Sequence, residues 1–341
     1  MSRDIFEVVK RWFTRSPEEP LAATARLFKR FRQPGNHNYF DGLVRWLAPL
    51  YRDPSERERL KLYFEFAITA NDRGRRVANI LRRHVDLRER AFLDIGCAYG
   101  GFVVAFADHG AQVMGLDIDP HLLDLARLNL LDAGLDAPLL RCDATRSDDV
   151  QHLAQSFDVI TCNDVIEHVP EPAGLLANVA RMLRPGGLAY FEIPNGRCID
   201  FVLRDGHYLL FAITLLDYPL AKEYHGAVFP QAGSYDVYSY LTLEGYRALF
   251  RRAGLKIAVL DETFDGLAYE PLRKRLGELR QAVPRRLADV PESLRPPVSQ
   301  CLESYLAEAT AATEDGSKFL LEYGASFWRV LATHSESSTA P

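Results

Sequence analysis

The fold follows from one stretch of sequence, Phe92-Leu93-Asp94-Ile95-Gly96-Cys97-Ala98-Tyr99-Gly100-Gly101. Its apolar start and its three glycines predict a short buried strand that ends at Asp94 and turns through a glycine loop into a helix beginning near Phe102. Glycine allows positive φ and lets a ligand approach main-chain atoms that a Cβ would shield. We therefore expect a nucleotide-type ligand at this loop.

The loop by itself leaves alternatives open. Read as Gly96-x-Ala98-x-x-Gly101, it also loosely fits a dinucleotide-binding fingerprint. Glycine loops also occur as ordinary turns.

Three later apolar runs also end in polar residues. The run 111–116 ends in Asp117, the run 138–142 in Asp143, and the run 157–162 in Asn163 and Asp164. In an open parallel sheet the carboxyl ends of the strands line the crevice where ligands bind, and an acidic residue about 20 positions after the glycine loop binds the ribose hydroxyls. The pattern predicts a nucleotide site at one edge of a parallel sheet.

At these residues the chain resembles the class I S-adenosylmethionine-dependent methyltransferases, including the small-molecule and quinone-biosynthesis members. The resemblance covers about residues 75–195 continuously. Ala98 stands where the family often has glycine. The matching motifs are Asp94-x-Gly96-x-Ala98-x-Gly100, then Asp117, then Cys142-Asp143-Ala144, then Asn163-Asp164-Val165-Ile166-Glu167-His168, then Leu183-Arg184-Pro185-Gly186-Gly187.

The resemblance implies S-adenosyl-L-methionine as the cofactor. We expect Asp117 to hold the ribose hydroxyls and Asp143 to face the adenine amino group, although a helix cap is the alternative for Asp143. Charge separates this donor from NAD, because Asp94 would repel a pyrophosphate and attract the methionine ammonium. The expected cofactor-binding residues are Asp94, Gly96, Ala98, Gly100, Asp117, Ile118, Asp143, Ala144 and Asn163.

The expected function is transfer of a methyl group, at oxygen in the first place, to a small-molecule, glycan or lipid-like acceptor. The alternatives are a donor-binding regulatory protein without turnover and an NAD-binding oxidoreductase. The sequence does not identify the acceptor or the oligomeric state.

His168 is the expected catalytic residue, because it follows the fourth strand by a few positions and so should start the next helix at the rim of the crevice. An imidazole with an ordinary pKa of about 6.5 can accept a hydroxyl proton. Shaping the pocket or touching the donor is the alternative role. Quinone-biosynthesis O-methyltransferases can carry a Glu-x-x-Glu-His metal set here, matched by Asp164, Glu167 and His168. Donor contacts and helix-start packing explain these residues more simply, so we expect no metal.

Composition limits the partners and the compartment. Lys and Arg total 41 against 46 Asp and Glu, a net charge of −5 that gives no general attraction to nucleic acid. The five cysteines form no C-x-x-C pair, which is typical of a reducing compartment. The start of the chain lacks the apolar region of a signal peptide, and the longest apolar run is too short to span a bilayer. We expect a cytoplasmic protein.

The predicted fold class is α/β, a doubly wound Rossmann-like sheet of seven strands, mostly parallel with an antiparallel last strand. Residues 1–88 are expected to be a helical N-terminal extension that covers the donor, and residues 89–334 the methyltransferase domain. We expect 196–241, rich in Tyr and Phe, to be a lid over the acceptor or else an inserted core layer. Residues 264–324 read as a helical insertion divided by prolines, and 335–341 as a disordered tail.

Residues 1–34 contain two patches that mix aromatic and basic side chains, Val9 to Phe13 and Leu27 to Arg32. One prediction is that they contact a membrane surface or a phosphate-bearing substrate. The alternative is a helix packed on the domain with its charges in water.

Overall fold

The computed structural model describes residues 18–49, 57–230 and 234–335. The chain divides into two compact units. The first consists of the described residues up to Cys162 together with 177–189, and the second of residues 163–176 together with the described residues from Tyr190 onward. The predicted patch Val9 to Phe13 and nearly all of the predicted tail lie outside the described residues.

The strands follow the order that the apolar runs predict. They are β1 (Ala91–Ile95), β2 (Gln112–Asp117), β3 (Leu139–Arg141), β4 (Phe157–Asn163), β5 (Leu183–Pro194), β6 (Leu255–Val259) and β7 (Phe327–His334).

Along the chain, the α-helices lie before, between and after these strands. They are α1 (Glu18–Leu27), α2 (His37–Leu47), α3 (Arg57–Ile68), α4 (Ala70–Leu81), α5 (Gly101–Ala107), α6 (Pro120–Asp132), α7 (Ser147–Val150), α8 (Pro172–Met182), α9 (Ile199–Leu203), α10 (Tyr218–Val228), α11 (Leu243–Arg252), α12 (Tyr269–Ala288), α13 (Arg295–Ala312) and α14 (Gly316–Phe319).

The seven strands form one sheet in the order β3-β2-β1-β4-β5-β7-β6. Strand β1 runs parallel to both β2 and β4, while β7 runs antiparallel to β6. Ile95 at the end of β1 pairs with Leu116 and with Cys162, so the carboxyl ends of these three strands meet at one edge. The predicted seven-stranded sheet with an antiparallel last strand is confirmed.

The glycine loop of the first unit joins β1 to α5. Gly96, Ala98 and Gly100 have φ values of 70°, 42° and 71°, so the loop takes the left-handed backbone that its glycines permit. A Cβ on Gly101 would lie 2.3 Å from the carbonyl carbon of Ala70, at the start of α4. Only glycine allows α4 and α5 to approach this closely.

The N-terminal helices form an aromatic core with the glycine loop. Phe28 and Phe64 stack with their ring centroids 3.8 Å apart, and the Tyr39 and Tyr99 rings lie 6.4 Å apart. Phe28 is buried, whereas Arg30 lies at the surface in an ion pair with Glu65. This part of the aromatic and basic patch therefore follows the packed-helix alternative.

The second unit has a core of its own. Tyr208, Phe211 and Ile213, from the segment after β5, are buried in one cluster with Leu279 of α12 and Leu302 of α13. Buried side chains of the segment 196–241, such as these three, therefore belong to the core of the second unit. Its role as a lid over the acceptor stays a prediction.

One detail of the expected boundaries is wrong. Pro284 lies inside α12 rather than ending a helix, because the buried Leu276 and Leu279 of the same helix outweigh one lost backbone hydrogen bond. The motif Leu183 to Gly187 forms the start of β5, with Gly186, at φ of 78°, inside the extended segment. No helix among residues 18–49, 57–230 and 234–335 has the length and apolarity needed to cross a membrane.

Candidate active site

Asp117, the last residue of β2, holds the glycine loop in place. Its Oδ2 accepts a hydrogen bond from the backbone N–H of Ala98 at 2.8 Å, and its Oδ1 accepts one from that of Asp119 at 2.9 Å. Burial raises the pKa of this carboxyl, and the two hydrogen bonds oppose the rise. The carboxylate is thus fixed at the strand end where ribose hydroxyls are expected.

Asp94 is a buried carboxyl at the end of β1. The Thr161 hydroxyl donates a hydrogen bond to its Oδ1 at 2.7 Å. Burial raises the pKa of Asp94 to about 7; the Thr161 hydrogen bond opposes the rise, and the charge of Asp117 adds to it. A cation placed beside Asp94 would stabilise its charged form. The methionine ammonium of S-adenosylmethionine supplies such a cation, so the residues present fit this donor.

Ile118 and Asp119 follow Asp117 directly. The side chain of Ile118 is 60% exposed and leaves an apolar surface for a flat ring. Asp119 caps α6 by accepting a hydrogen bond from the His121 N–H at 2.7 Å, as expected for a helix-start aspartate. The two neighbouring aspartates therefore have different roles.

Asp143 and Ala144 lie just beyond β3. Oδ1 of Asp143 accepts hydrogen bonds from the Thr145 N–H at 3.0 Å and from its hydroxyl at 2.6 Å. The Ala144 carbonyl accepts from the Asn178 side-chain amide at 2.9 Å. Asp143 thus stabilises a local turn rather than capping a helix, since the N-cap of α7 is Arg146. Its contact with adenine stays a prediction.

Asn163 follows Cys162, the β4 residue that pairs with Ile95. Both polar atoms of its side chain are buried without a hydrogen-bond partner among the described residues. A buried amide without partners is costly. It is therefore suited to contact a ligand at this edge of the sheet.

His168 ends the short 3₁₀ turn Ile166–His168. Its Nδ1 lies 3.0 Å from the backbone carbonyl of Asp236, and since a carbonyl only accepts, Nδ1 must carry the proton. Burial lowers the pKa of His168 to about 3. The expectations of an ordinary pKa and of a helix start at this residue are therefore wrong, because the imidazole is enclosed by the segment after β5 and α8 begins only at Pro172.

Glu167 and His207 both lie next to His168 in the fold, although His207 is distant from it in sequence. Glu167 is fully buried, and its Oε1 lies 3.7 Å from Nε2 of His168 and 3.8 Å from Nε2 of His207. The two imidazole rings meet edge to face with centroids 5.0 Å apart. His207 lies about forty residues beyond His168, so no local spacing signals the association.

The turn that carries His207 is held by a buried carboxylate. Asp205 accepts hydrogen bonds from the backbone N–H groups of His207 at 2.8 Å, Tyr208 at 2.9 Å and Leu210 at 2.6 Å. The Tyr208 hydroxyl in turn donates to the side chain of Asp236, the residue whose carbonyl orients His168. These contacts orient both histidines before any ligand binds.

Comparisons with known proteins agree with this geometry. A family model described as a methyltransferase domain matches residues 52–259. The ubiquinone biosynthesis O-methyltransferase of Stutzerimonas stutzeri is 32% identical over 196 residues, which cover 58% of this chain and 75% of that protein. The protein of the same name from Aromatoleum aromaticum is 33% identical over 190 residues, covering 56% and 72%.

A solved structure described as a proposed sarcosine dimethylglycine methyltransferase from Galdieria sulphuraria overlaps 76% of this chain and 83% of its own, at 18% identity and a TM-score of 0.42. An overlap of this quality adds nothing to the assignment. The family model spans more than half of the chain and includes the glycine loop and the strand-end residues. The chain therefore belongs to the class I S-adenosylmethionine-dependent methyltransferases.

Proposed function

We propose that this enzyme methylates a hydroxyl oxygen of a ring-bearing small molecule. The observation that carries the proposal is His168, a neutral imidazole fixed by the Asp236 carbonyl. The names of the two relatives, which specify O-methylation in ubiquinone biosynthesis, support the same reaction class.

The donor would be held by the strand-end residues. Asp94 would bind the methionine ammonium and Asp117 the ribose hydroxyls, with the helices of residues 1–88 as a cover. Adenine would contact Ile118, Asp143 and Ala144. Main-chain atoms at Gly96, Ala98 and Gly100, and the amide of Asn163, complete the set. When bound, S-adenosylmethionine supplies an electrophilic methyl group, so the protein has mainly to position the acceptor and remove its proton.

The acceptor class follows from a group of tyrosines in the second unit, two of them close in sequence to Asp236, the residue whose carbonyl contacts His168. Tyr218 and Tyr238 stack with centroids 4.8 Å apart, and Tyr235 lies 6.1 Å from Tyr218. Tyr218 and Tyr238 are partly exposed, whereas Tyr235 is buried beside them. Partly exposed tyrosines offer ring faces and hydroxyls together, which suits an acceptor with a ring and a few hydroxyl groups. Two other acceptor features are to be tested. One is a lipid-like tail, with membrane contact of the protein through residues 1–34, and the other is a glycan.

Removing the acceptor's proton requires more than His168. Burial makes this imidazole a weak base by itself, because its charged form is poorly solvated. We therefore assign activation of the acceptor to the group of Glu167, His168 and His207 together. We also place the enzyme in a cytoplasmic, reducing compartment, which its five cysteines, none of them in a disulfide, support.

Product analysis tests the proposal. Purified protein would be incubated with methyl-labelled S-adenosylmethionine and matched sets of ring compounds, each present as the phenol, the corresponding aniline and the phenol already methylated. We expect label only in the phenols, recovered as a methyl ether. Label in the anilines, or transfer to carbon, would contradict oxygen as the acceptor atom.

A further inference from the structure

Asn129 of α6 is a buried amide that belongs to none of the expected donor motifs. Its side chain is 2% exposed. Its Nδ2 donates one hydrogen bond to the backbone carbonyl of Tyr99 at 2.8 Å and another to the side-chain oxygen of Asn71 at 2.7 Å. Its Oδ1 accepts a hydrogen bond from the Asn71 amide at 3.1 Å. One side chain therefore joins three segments of the first unit, which are α6, α4 and the glycine loop.

The Tyr99 carbonyl determines how both amides are oriented. Because a carbonyl only accepts, the Asn129 atom that faces it must be the NH₂ group. The other hydrogen of that group is donated to the oxygen of Asn71, so the Asn71 NH₂ group donates back to Asn129. Both hydrogens of the buried Asn129 amide are thus used, as burial of a polar group requires.

Tyr99 is held at its ring as well as at its carbonyl. The ring is 1% exposed and lies among the rings of Tyr39 and Trp46 from α2 and of Phe66 from α3, at centroid distances of 6.4, 6.1 and 6.4 Å. The carbonyl faces α6 instead, where Asn129 binds it. A change of the loop at Tyr99 would have to break the ring contacts or this hydrogen bond.

The glycine loop is fixed from two directions. Asp117 of β2 accepts a hydrogen bond from the Ala98 N–H, and Asn129 of α6 donates one to the next carbonyl, that of Tyr99. Helix α6 can lie this close because the following residue is Gly100, where a Cβ would lie 2.8 Å from a leucine side chain of α6. The strand-end aspartate is visible in the sequence pattern, whereas the asparagine inside a helix is not.

We propose that Asn129 is a positioning residue for the methyl donor, acting through the Tyr99 carbonyl to hold the glycine loop in its donor-binding conformation. The inference rests on the proposed function in one respect, the placement of the donor at this loop. The loop directly follows the strand of Asp94, the residue assigned to the methionine ammonium, so its main chain serves the methionine part of the donor. Asn71 supports Asn129 from α4 and makes no contact with the loop through this pair.

Binding of donor analogues without any acceptor tests the proposal. Calorimetry would compare S-adenosylhomocysteine with 5′-methylthioadenosine, which lacks the amino-acid part. In Asn129→Ala the dissociation constant of S-adenosylhomocysteine should rise at least about fivefold, since a buried hydrogen bond that holds the loop is lost. The dissociation constant of 5′-methylthioadenosine should change by less than about twofold, because this ligand has no methionine part for the loop to bind.

Asn71→Ala is the matched control. It removes the same two hydrogen bonds between the amides but leaves the one from Asn129 to Tyr99, so S-adenosylhomocysteine should bind within about twofold of wild type. Asn129→Asp keeps the shape of the side chain without its N–H groups and should weaken binding as Asn129→Ala does. Thermal unfolding of each ligand-free variant would show that it is folded at the temperature of the calorimetry.

Three results would overturn the proposal. The first is wild-type affinity for S-adenosylhomocysteine in the Asn129 variants. The second is an equal loss in Asn129→Ala and Asn71→Ala, or an equal loss for the two ligands, and the third is loss of folding in both Asn129 variants; either would make the amide a structural contact only. A wild type that does not bind S-adenosylhomocysteine would contradict the donor site itself and this proposal with it. Failure of the proposed O-methylation alone would leave these results unchanged, because no acceptor is present.

Discussion

Two buried carboxyls, Asp117 in the first unit and Glu167 in the second, are satisfied in different ways. Asp117 is 7% exposed, and each of its oxygens accepts a backbone hydrogen bond. Glu167 is fully buried, and neither oxygen accepts a hydrogen bond from any residue that the structure describes. The chain itself therefore completes the environment of Asp117 but not that of Glu167.

This difference indicates where bound groups contribute most. Backbone N–H groups that satisfy a buried carboxylate fix a loop in one conformation, so ligand binding there needs little rearrangement. Burial instead raises the pKa of Glu167 well above its usual range, because the charged form has no hydrogen-bond partner among the described residues. We expect substitutions at the donor-binding residues to change binding, and substitutions near Glu167 to change the chemical step.

The largest expected effect is on turnover, in His168→Ala. Losing a group that acts on the acceptor's proton typically slows a reaction by about 10²–10⁴-fold. Initial rates at saturating donor should show kcat reduced by at least about 100-fold, while donor affinity measured by calorimetry changes little. A kcat within about threefold of wild type would mean that His168 has no part in the chemistry.

A smaller effect, on donor affinity, is expected in Asp117→Ala. The variant removes the expected ribose contact and leaves the Ala98 N–H without its acceptor, so the dissociation constant should rise at least tenfold, about 1.4 kcal/mol. Asp119→Ala is the matched control, since it removes a helix cap worth about 1 kcal/mol of stability but no expected donor contact. Equal weakening of donor binding in both variants would assign the effect to loop structure instead.

The smallest expected effect is a pH dependence of donor binding that Asp94 controls. Because the pKa of this carboxyl is raised to about 7, it is mostly protonated at pH 6 and mostly charged at pH 8. An ammonium binds the charged form, so affinity should increase up to about tenfold across this range. Titration calorimetry at several pH values measures the change, together with the proton released on binding.

Asp94→Asn checks the assignment of that dependence. The variant should bind the donor weakly and with a flat pH profile in this range. In the ligand-free wild-type protein, the free energy of unfolding should change with pH in the sense opposite to donor affinity. The folded state holds a proton that the unfolded state loses near the ordinary pKa of 3.8, so stability falls as pH rises from about 4 to 7. If donor affinity in Asp94→Asn still depends on pH as it does in the wild type, another group is responsible for the dependence.

The sequence alone determined the sheet and the positions of the expected donor-binding residues. Each strand is an apolar run of a few residues, and each expected donor residue directly follows such a run or lies in the glycine loop. Asp94, Asp117 and Asn163 could be placed at one edge because parallel strands with short connections align their carboxyl ends. Local pattern and fold rules were sufficient for these positions.

Only the tertiary structure decided the environment of His168. Its lowered pKa comes from burial, and its partners Asp236 and His207 lie far along the chain in a segment without regular periodicity. Burial and long-range contacts depend on how segments distant in sequence pack, and no local motif records that packing. For the same reason the sequence offered Asp164 as a neighbour of Glu167 and His168, whereas the fold brings His207.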